Sequence, residues 1–191
     1  LVVAIGGDGT MNEVASALVD TPARFGLIPC GSGNGLGRHL GIRRPGHGAF
    51  RTLLDGRPKP IDTGLVNDFA FFNAMGLGFE ADIAVRFSRL TNRGLAGYIR
   101  VGLPSFFAHR PEAVTVRHAG GTVQFAAFTL AVMNSDQYGN DAHVAPGAQV
   151  DDGRFDLVSV PQMSFLGGVG LRYRLGTDTF DQVRAVTRIS G

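Results

Sequence analysis

The first sixty residues alternate short apolar runs with segments whose apolar residues recur at helical spacing. Residues 1–5 are all apolar and predict a buried strand, and residues 24–29 predict a second one. Apolar residues along one face predict helices over 11–19, near 36–40 and near 49–55. This alternation of strand and helix is typical of an α/β unit with a parallel sheet.

After residue 60 the pattern becomes mainly that of β-strands with inserted helices. Residues 61–66 and 69–75, separated by the polar pair Asn67-Asp68, predict a hairpin. Two glycines before residue 122 predict a second hairpin, and residues 164–175 fit either a helix or a strand. The remaining expectations are strands over 114–117, 122–133 and 154–160, and helices over 79–94 and 96–109, with Pro104 kinking or ending the last helix.

The change of pattern predicts two units, residues 1–60 and 61–191. The segment Gly56–Pro60 contains two prolines and is typical of a crossing between domains. The chain begins with Leu1, inside a predicted core strand and without an initiator methionine. A strand of this kind needs neighbours, so we expect the 191 residues to be an internal piece of a longer protein.

Composition narrows the class of protein. Hydrophobic residues make up 44% of the chain, enough for a sizeable core, and the net charge of +2 is too small to indicate nucleic-acid binding. The single cysteine, Cys30, excludes a disulfide framework and favours a reducing compartment. Apolar runs of about 18 residues, which would predict a membrane span, do not occur in the sequence.

The most informative motif is the glycine turn Gly6–Thr10 after the first strand. Glycines let the backbone approach a ligand closely, and N–H groups at a helix start bind anions. Thr10 and Glu13 have capping-box spacing, which predicts that the helix begins beside Thr10. Asp8 is unusual because a carboxylate repels phosphate unless a metal ion or a proton offsets its charge. The turn therefore predicts a phosphate site with an acid built into it.

A second glycine loop, residues 29–36, follows the second strand. Ser32 and Asn34 can donate hydrogen bonds to phosphate or cap the next helix, and Arg38 can bind phosphate in a bidentate manner or pair with a carboxylate. As an isolated loop this would be an ordinary turn. Two such loops at the carboxyl edge of one sheet indicate a ligand site.

The adjacent acids Asp151 and Asp152 precede Gly153 and fit either a solvated turn or a site for a hard cation. Asp62, at the end of a predicted strand in the segment Ile61–Gly64, either hydrogen-bonds a turn or faces the nucleotide cleft. The five histidines lack metal-ligand spacing, and the lysine of a P-loop is absent after the glycines.

Four segments, in this order, resemble the motifs of the diacylglycerol kinase catalytic domain family, which includes bacterial lipid kinases and sphingosine and ceramide kinases. They are residues 6–14, 28–34, 61–64 and 146–155. The resemblance extends over nearly the whole chain. It implies an α/β nucleotide-binding domain of the NAD kinase and diacylglycerol kinase type, followed by a β-rich, sandwich-like domain that binds lipid and metal.

The resemblance also implies roles for individual residues. Asp8 matches the acid that deprotonates the acceptor hydroxyl in sphingosine kinases, and Asp62 matches an acid that supports the metal and phosphate network. Asp152, with backbone oxygens of Gln149 and Arg154, matches a magnesium site of bacterial members. The residues expected to bind ATP are Gly6, Gly7, Asp8, Gly9, Thr10, Asn12, Glu13, Ser32, Asn34 and Arg38.

The function implied is that of a transferase in phospholipid metabolism, a lipid kinase that phosphorylates a hydroxyl of diacylglycerol or a related lipid. A sphingoid base is a second acceptor to consider. The cofactors are ATP and Mg²⁺, and the partner is a lipid at the membrane surface rather than nucleic acid. We expect a cytoplasmic, peripherally membrane-associated enzyme, with a homodimer as a further expectation.

The sequence also departs from the family pattern. Gly37 stands where alanine is common, and the C-terminal Asp-Gly-Glu motif, whose acid accepts the proton in bacterial members, is absent from these 191 residues. We therefore expect the isolated chain to have little kinase activity. The alternatives are an NAD kinase, which shares the first motif, and a non-catalytic nucleotide- or lipid-binding module.

Overall fold

The computed structural model describes residues 1–42, 47–88, 95–177, 179–180, 182–183 and 186–191. Within these residues an α/β unit is followed by a mainly antiparallel β unit with helices. The predicted fold class, α/β followed by β-rich, is confirmed.

The α/β unit is built on two parallel strands, β1 (Val2–Gly6) and β2 (Phe25–Pro29). A helix follows each strand, α1 (Asp8–Ser16) after β1 and α2 (Gly35–His39) after β2, and α3 (His47–Asp55) comes next along the chain. Parallel strands end at the same edge of a sheet, so the two glycine turns lie side by side.

The β unit begins with the predicted hairpin, formed by β3 (Gly64–Val66) and β4 (Phe69–Phe71). The elements that follow are β5 (Ala74–Gly78), α4 (Phe79–Ser88), α5 (Leu95–Ala108), β6 (Glu112–His118), β7 (Gly121–Ala127), β8 (Thr129–Met133), β9 (Asp156–Val160), α6 (Phe165–Arg174) and β10 (Thr187–Ser190). An antiparallel sheet has the strand order β10-β9-β8-β5, and β6 and β7 form the second predicted hairpin.

One hydrophobic core is shared by both halves of the chain. Met11 of α1 and Leu36 of α2 pack in the same cluster as Phe72 and Val150, which belong to the second half. The side-chain amide of Asn12 also donates a hydrogen bond to the carbonyl of Ala70, at 3.0 Å. The second half is thus packed directly against the helices that follow the glycine turns, while the division after residue 60 stays a prediction.

Two of the predicted strands are each divided in the structure. The run 69–75 breaks after β4 because Asn73 leaves the hairpin and its carbonyl accepts the N–H of Asn134, at 2.8 Å. The run 122–133 breaks at Phe128, so that β7 pairs with β6 while β8 pairs with β5 and β9. Apolar continuity alone does not reveal where a strand changes partners.

Two helices of the second half lie within one residue or so of the predicted ranges. The helix expected over 96–109 is observed as α5, and Pro104 does not end it, since α5 continues to Ala108 and keeps Phe106 on the apolar wall described below. Residues 164–175 are helical, and the Ser164 hydroxyl caps α6 by accepting the N–H of Gly167. The predicted end of α4 near Gly94 lies outside the described residues.

Candidate active site

The first glycine turn leads directly from β1 into α1. The helix begins at Asp8, with Gly7 in extended conformation before it and without a side-chain cap. The capping-box interpretation of Thr10 and Glu13 is therefore wrong, because Thr10 already lies in the first helical turn. Backbone N–H groups of this turn remain the kind of group that can bind an anion.

The second glycine loop is closed by the side chain of Asn34. Its Oδ1 accepts the N–H of Gly31 at 2.8 Å, and its Nδ2 donates to the Gly31 carbonyl at 2.6 Å. Asn34 has a left-handed backbone, with φ of 55°, and is 3% exposed. Asn34 thus shapes the loop from within, and a direct contact between this side chain and ATP stays a prediction.

Asp8 joins the two glycine turns. Its Oδ2 accepts the N–H of Asn34 and its Oδ1 accepts the N–H of Gly35, each at 2.7 Å. These N–H groups stand at the start of α2, where hydrogen-bond donors are unpaired within the helix. The carboxylate therefore fixes the second loop, and each of its oxygens keeps a second lone pair.

Close contact between Gly7 and Gly31 explains why both positions are occupied by glycine. A Cβ at position 31 would lie 2.6 Å from the Gly7 Cα, and a Cβ at position 7 would lie 3.2 Å from the Gly31 Cα. A side chain at position 31 would push the loops apart. The pairing requires glycine for close approach rather than for an unusual φ angle.

A segment of the β unit, residues 134–145, packs against the second loop and is called the supporting segment below. Gly139, with φ of 119°, packs its backbone against Gly33, and the Asn140 N–H donates to the Gly33 carbonyl at 3.1 Å. Arg38 donates to the same carbonyl through Nε at 3.0 Å and pairs with Asp141 at 2.7 Å. Of the two interpretations of Arg38, pairing with a carboxylate is the one observed, and phosphate binding stays a prediction.

Asp136 lies between two histidines in this supporting segment. Its carboxylate is 2.8 Å from Nδ1 of His39, at the end of α2, and 3.4 Å from Nδ1 of His143. Burial alone would raise the pKa of Asp136, but the hydrogen bond with His39 and the charges of His39 and His143 lower the pKa below its ordinary value. The cluster links α2 to the β unit.

Asp62 lies against the turn at residues 149–154 rather than alone at a strand end. Its Oδ2 accepts the N–H of Gly153 at 2.8 Å, and its own N–H donates to the carbonyl of Val150 at 2.6 Å. Asn134 donates to the Asp62 carbonyl at 2.9 Å. The predicted site residues therefore form two groups, one on the glycine loops and one at this turn.

The turn at 149–154 offers oxygen ligands for a hard cation. Asp152 Oδ1 accepts the N–H of Arg154 at 3.0 Å, and Asp151 pairs with Lys59 at 2.8 Å. Gln149, Asp152 and Arg154 are exposed. Across the described ranges the structure contains no cluster of three or more His, Cys, Asp or Glu side chains suited to a metal. A carboxylate with backbone carbonyls is nevertheless a donor set that fits Mg²⁺.

Thr10 and Glu13 are exposed on α1, Ser32 is exposed on the second loop, and Asn12 on α1 is half-buried. Ser32 lies at the tip of the second loop, beside the Gly7–Gly31 contact. Of these four side chains, that of Asn12 donates its amide to the Ala70 carbonyl. Their contacts with ATP stay predictions, as do those of Gly6 and Gly9.

An apolar cavity of about 420 Å³ lies in the β unit, between the antiparallel sheet and the helices α4, α5 and α6. Aromatic rings form much of its wall, with ring centroids 4.7 Å apart for Phe79 and Phe128, 5.2 Å for Phe106 and Phe128, and 5.8 Å for Phe106 and Phe165. A cavity of this size and character suits a hydrocarbon chain.

Glu80 and Tyr138 are polar residues of the cavity lining. The Tyr138 hydroxyl donates to Glu80 Oε2 at 2.7 Å. Burial raises the pKa of Glu80, and the hydrogen bond from Tyr138 only partly opposes this. Burial, together with the charge and hydrogen bond of Glu80, raises the pKa of Tyr138 well above its ordinary range.

Sequence reasoning missed the segment 134–145 and the Glu80–Tyr138 pair. One signal was available: the polar run Asn134–Asp141 follows the long apolar strand directly, at a strand end where ligand-site residues often lie. The sequence pattern places Glu80 in the helix predicted over residues 79–94 but does not indicate a functional role for it. Its burial depends on the packing of α4 against the sheet, which the sequence does not display.

Two family models match the chain. Residues 1–66 match the diacylglycerol kinase catalytic domain. Residues 73–173 match the YegS C-terminal NAD kinase beta sandwich-like domain. The chain belongs to the YegS-like diacylglycerol kinase family. The resemblance inferred from the four motifs is confirmed, and so is the order of a nucleotide-type domain followed by a sandwich-like one.

Relatives in this family carry the names of lipid kinases. A "Probable lipid kinase YegS-like" of Chromohalobacter salexigens is 32% identical over 171 residues, which is 86% of this chain and 55% of that protein. The diacylglycerol kinase of Bacillus subtilis is 33% identical over 163 residues, 83% of this chain and 54% of that protein. The chain thus spans little more than half the length of these relatives.

Solved structures confirm the fold. A crystal structure of a diacylglycerol kinase from Bacillus anthracis superposes with a TM-score of 0.68 and 19% identity, covering 99% of this chain and 62% of the other. At this identity the similarity concerns the fold. In the part of the chain that the structure describes, none of the helices is long and apolar enough to cross a membrane.

Proposed function

We propose that the protein is an ATP-dependent lipid kinase that phosphorylates a hydroxyl of diacylglycerol or a related neutral lipid. The observation that carries the proposal is the position of Tyr138. Tyr138 belongs to the lining of the apolar cavity, while its backbone carbonyl packs against Gly35 beside the second glycine loop, where a Cβ would approach it to 2.5 Å. A lipid chain in the cavity therefore lies close to a phosphate-binding loop.

The glycine loops would bind the phosphates of ATP. Backbone N–H groups at the start of α1 and the exposed side chains of Thr10 and Ser32 are donors of the kind that phosphate oxygens accept. Phosphoryl transfer depends chiefly on positioning and on neutralising charge. The hydrogen bonds from the start of α2 to the Asp8 carboxylate contribute to positioning, because they hold the two loops in a fixed relation.

Asp8 would act as the general base. The lone pairs left on its oxygens can accept the proton of the lipid hydroxyl while the hydroxyl oxygen bonds to the γ-phosphorus and the bond from that phosphorus to ADP breaks. Its hydrogen bonds to two N–H groups orient the carboxylate beforehand. A further acid from a C-terminal segment is the competing candidate for this role.

Magnesium would be held at two places. Mg²⁺ bound with ATP would supply charge neutralisation at the phosphates. Asp152, with the carbonyls of Gln149 and Arg154, would hold a structural ion on the turn that Asp62 braces through Gly153. In this arrangement Asp62 positions the turn, and its connection to the phosphate network is part of the proposal.

The lipid side of the proposal also predicts peripheral association with membranes. Phe107, Leu166, Val169 and Tyr173, on α5 and α6 beside the cavity, are exposed by 64%, 80%, 54% and 77%. Apolar side chains exposed next to a lipid-sized cavity are typical of a surface that contacts a bilayer. Cytoplasmic location and a homodimer stay predictions.

An NAD kinase is the second candidate, since the C-terminal family model is described as NAD kinase-like. A dinucleotide acceptor requires polar contacts, whereas the cavity wall is apolar. The test offers labelled ATP to the full-length protein with NAD, diacylglycerol or sphingosine as acceptor and separates the products by thin-layer chromatography. Labelled phosphatidate supports the proposal; labelled NADP instead of a lipid product overturns it; binding without transfer supports a binding module.

A further inference from the structure

Glu80 is an acidic residue in the wall of an apolar cavity, a position where burial of a carboxyl group is unfavourable. We therefore expect this side chain to perform a function there. Glu80 begins α4 beside Phe79, lines the apolar cavity and is largely buried. Burying an ionised carboxylate costs more free energy than burying a neutral glutamine side chain, whereas burial of leucine is favourable. The Tyr138 hydroxyl donates a hydrogen bond to Glu80 Oε2 at 2.7 Å.

Strand β5 passes beside this pair at Gly76. A Cβ at Gly76 would lie 3.6 Å from Glu80 Oε2 and 3.7 Å from the Tyr138 hydroxyl, which are ordinary van der Waals distances. The pair is therefore backed by strand β5, while Glu80 and Tyr138 themselves belong to the lining of the cavity.

The pair also has a fixed relation to the glycine loops. Tyr138 packs its carbonyl against Gly35, and the next residue, Gly139, packs against Gly33. Gly35 in turn donates to Asp8. The Glu80–Tyr138 pair is therefore connected to the proposed phosphate site through Gly35, which contacts the Tyr138 carbonyl and donates to Asp8.

We propose that Glu80, held by Tyr138, donates a hydrogen bond to an ester oxygen of a neutral acylglycerol whose chain occupies the cavity, and so positions its free hydroxyl. Burial favours the protonated form of Glu80, since it raises the pKa. A protonated carboxyl is a donor, and an ester oxygen is an acceptor. This inference rests on the proposed lipid kinase function and adds to it the residue that positions the acceptor.

The test uses the full-length protein with dioleoylglycerol in detergent micelles, and measures KM for the lipid, KM for ATP and kcat separately. Glu80→Leu removes the donor and is expected to raise the lipid KM about tenfold while leaving the ATP KM within about twofold. Glu80→Gln keeps a donor and is expected to stay within about threefold of wild type. Asp82→Asn, on the same helix and paired with Arg86 at the surface, is the matched control.

An unchanged lipid KM in Glu80→Leu overturns the inference. A rise in the lipid KM of Glu80→Gln as large as that of Glu80→Leu also overturns it. Such a result would show that the negative charge of Glu80, and not a hydrogen-bond donor at this position, determines lipid binding. Preference of the wild type for sphingosine over dioleoylglycerol contradicts the neutral acceptor.

Failure of the proposed function is distinguished by a binding measurement with a fluorescent diacylglycerol. If wild type binds this lipid about tenfold more tightly than Glu80→Leu but transfers no phosphate, the inference about Glu80 stands and the kinase proposal fails. Equal binding by both proteins, without transfer, overturns both.

Discussion

The carboxylate of Asp8 accepts the backbone N–H of Asn34 at 2.7 Å, so that the first glycine turn holds the second. The two residues are 26 positions apart in the chain and belong to successive strand-helix units. An acid that repels phosphate when considered alone is here partly offset by N–H groups at a helix start. This hydrogen bond thus joins the two glycine turns into one structural unit.

The contact between the turns predicts the effect of a single methyl group. Gly31→Ala would place Cβ 2.6 Å from the Gly7 Cα, a backbone atom that cannot rotate away. We expect the free energy of unfolding to fall by about 1–3 kcal/mol and ATP binding to weaken. Chemical denaturation and titration with an ATP analogue measure the two effects.

Gly170→Ala is the matched control for that substitution. Gly170 lies in α6 with open space around its Cα, so alanine should leave ATP binding unchanged and stabilise the helix by up to about 1 kcal/mol. Equal ATP affinity in Gly31→Ala and wild type would show that the two turns do not bind ATP as one unit.

Asp136 predicts a dependence of stability on acid. Because its pKa is lowered in the folded protein by His39 and His143, despite burial, its contribution is fully present above the ordinary value of 3.8 and is lost as the pH falls through the lower folded value. Asp136→Asn should therefore reduce stability at pH 6 and reduce it less as the pH falls below about 4. Thermal unfolding across this range measures the effect.

Asp68→Asn, an exposed carboxylate in the turn between β3 and β4, serves as the control for acid stability. A difference between wild type and Asp136→Asn that stays constant from pH 6 to the acid limit would exclude the linkage.

Much of the α/β half could be predicted because its signals are local. The apolar runs of β1 and β2 and the glycines after them locate the strands and turns within one or two residues. The start of α1 was misplaced because Thr10 and Glu13 imitate a capping box, while the Asp8 carboxylate bonds α2 instead of capping its own helix. Local spacing cannot reveal a partner 26 residues away.

The β half was predicted less well for the same reason. The apolar run 122–133 is divided at Phe128 into two strands. β7, before Phe128, pairs with β6, whereas β8, after it, pairs with β5 and β9. The contacts of Tyr138 with Glu80, 58 residues earlier, and with Gly35 depend on how three distant segments pack. The sequence identified the family motifs, but the supporting segment and the cavity required the fold.

The turn at 149–154 predicts a stabilising effect of magnesium. If Asp152 binds the ion with neighbouring carbonyls, Mg²⁺ should raise the Tm of wild type but not that of Asp152→Ala, because binding to the folded state alone adds stability. Asp151→Ala, which removes only the exposed pair with Lys59, should keep the response. The same Mg²⁺-induced change in Tm in wild type and Asp152→Ala would remove this site from the account.

The most direct test of the central claim is the rate at which the full-length protein transfers labelled phosphate from ATP to diacylglycerol, compared between wild type and Asp8→Asn at saturating ATP. We expect labelled phosphatidate from wild type and a fall in kcat of at least about 100-fold in the variant, corrected for its folded fraction, with a smaller change in ATP affinity. Wild-type protein that labels none of the lipids offered, or a variant with undiminished turnover, would contradict the account.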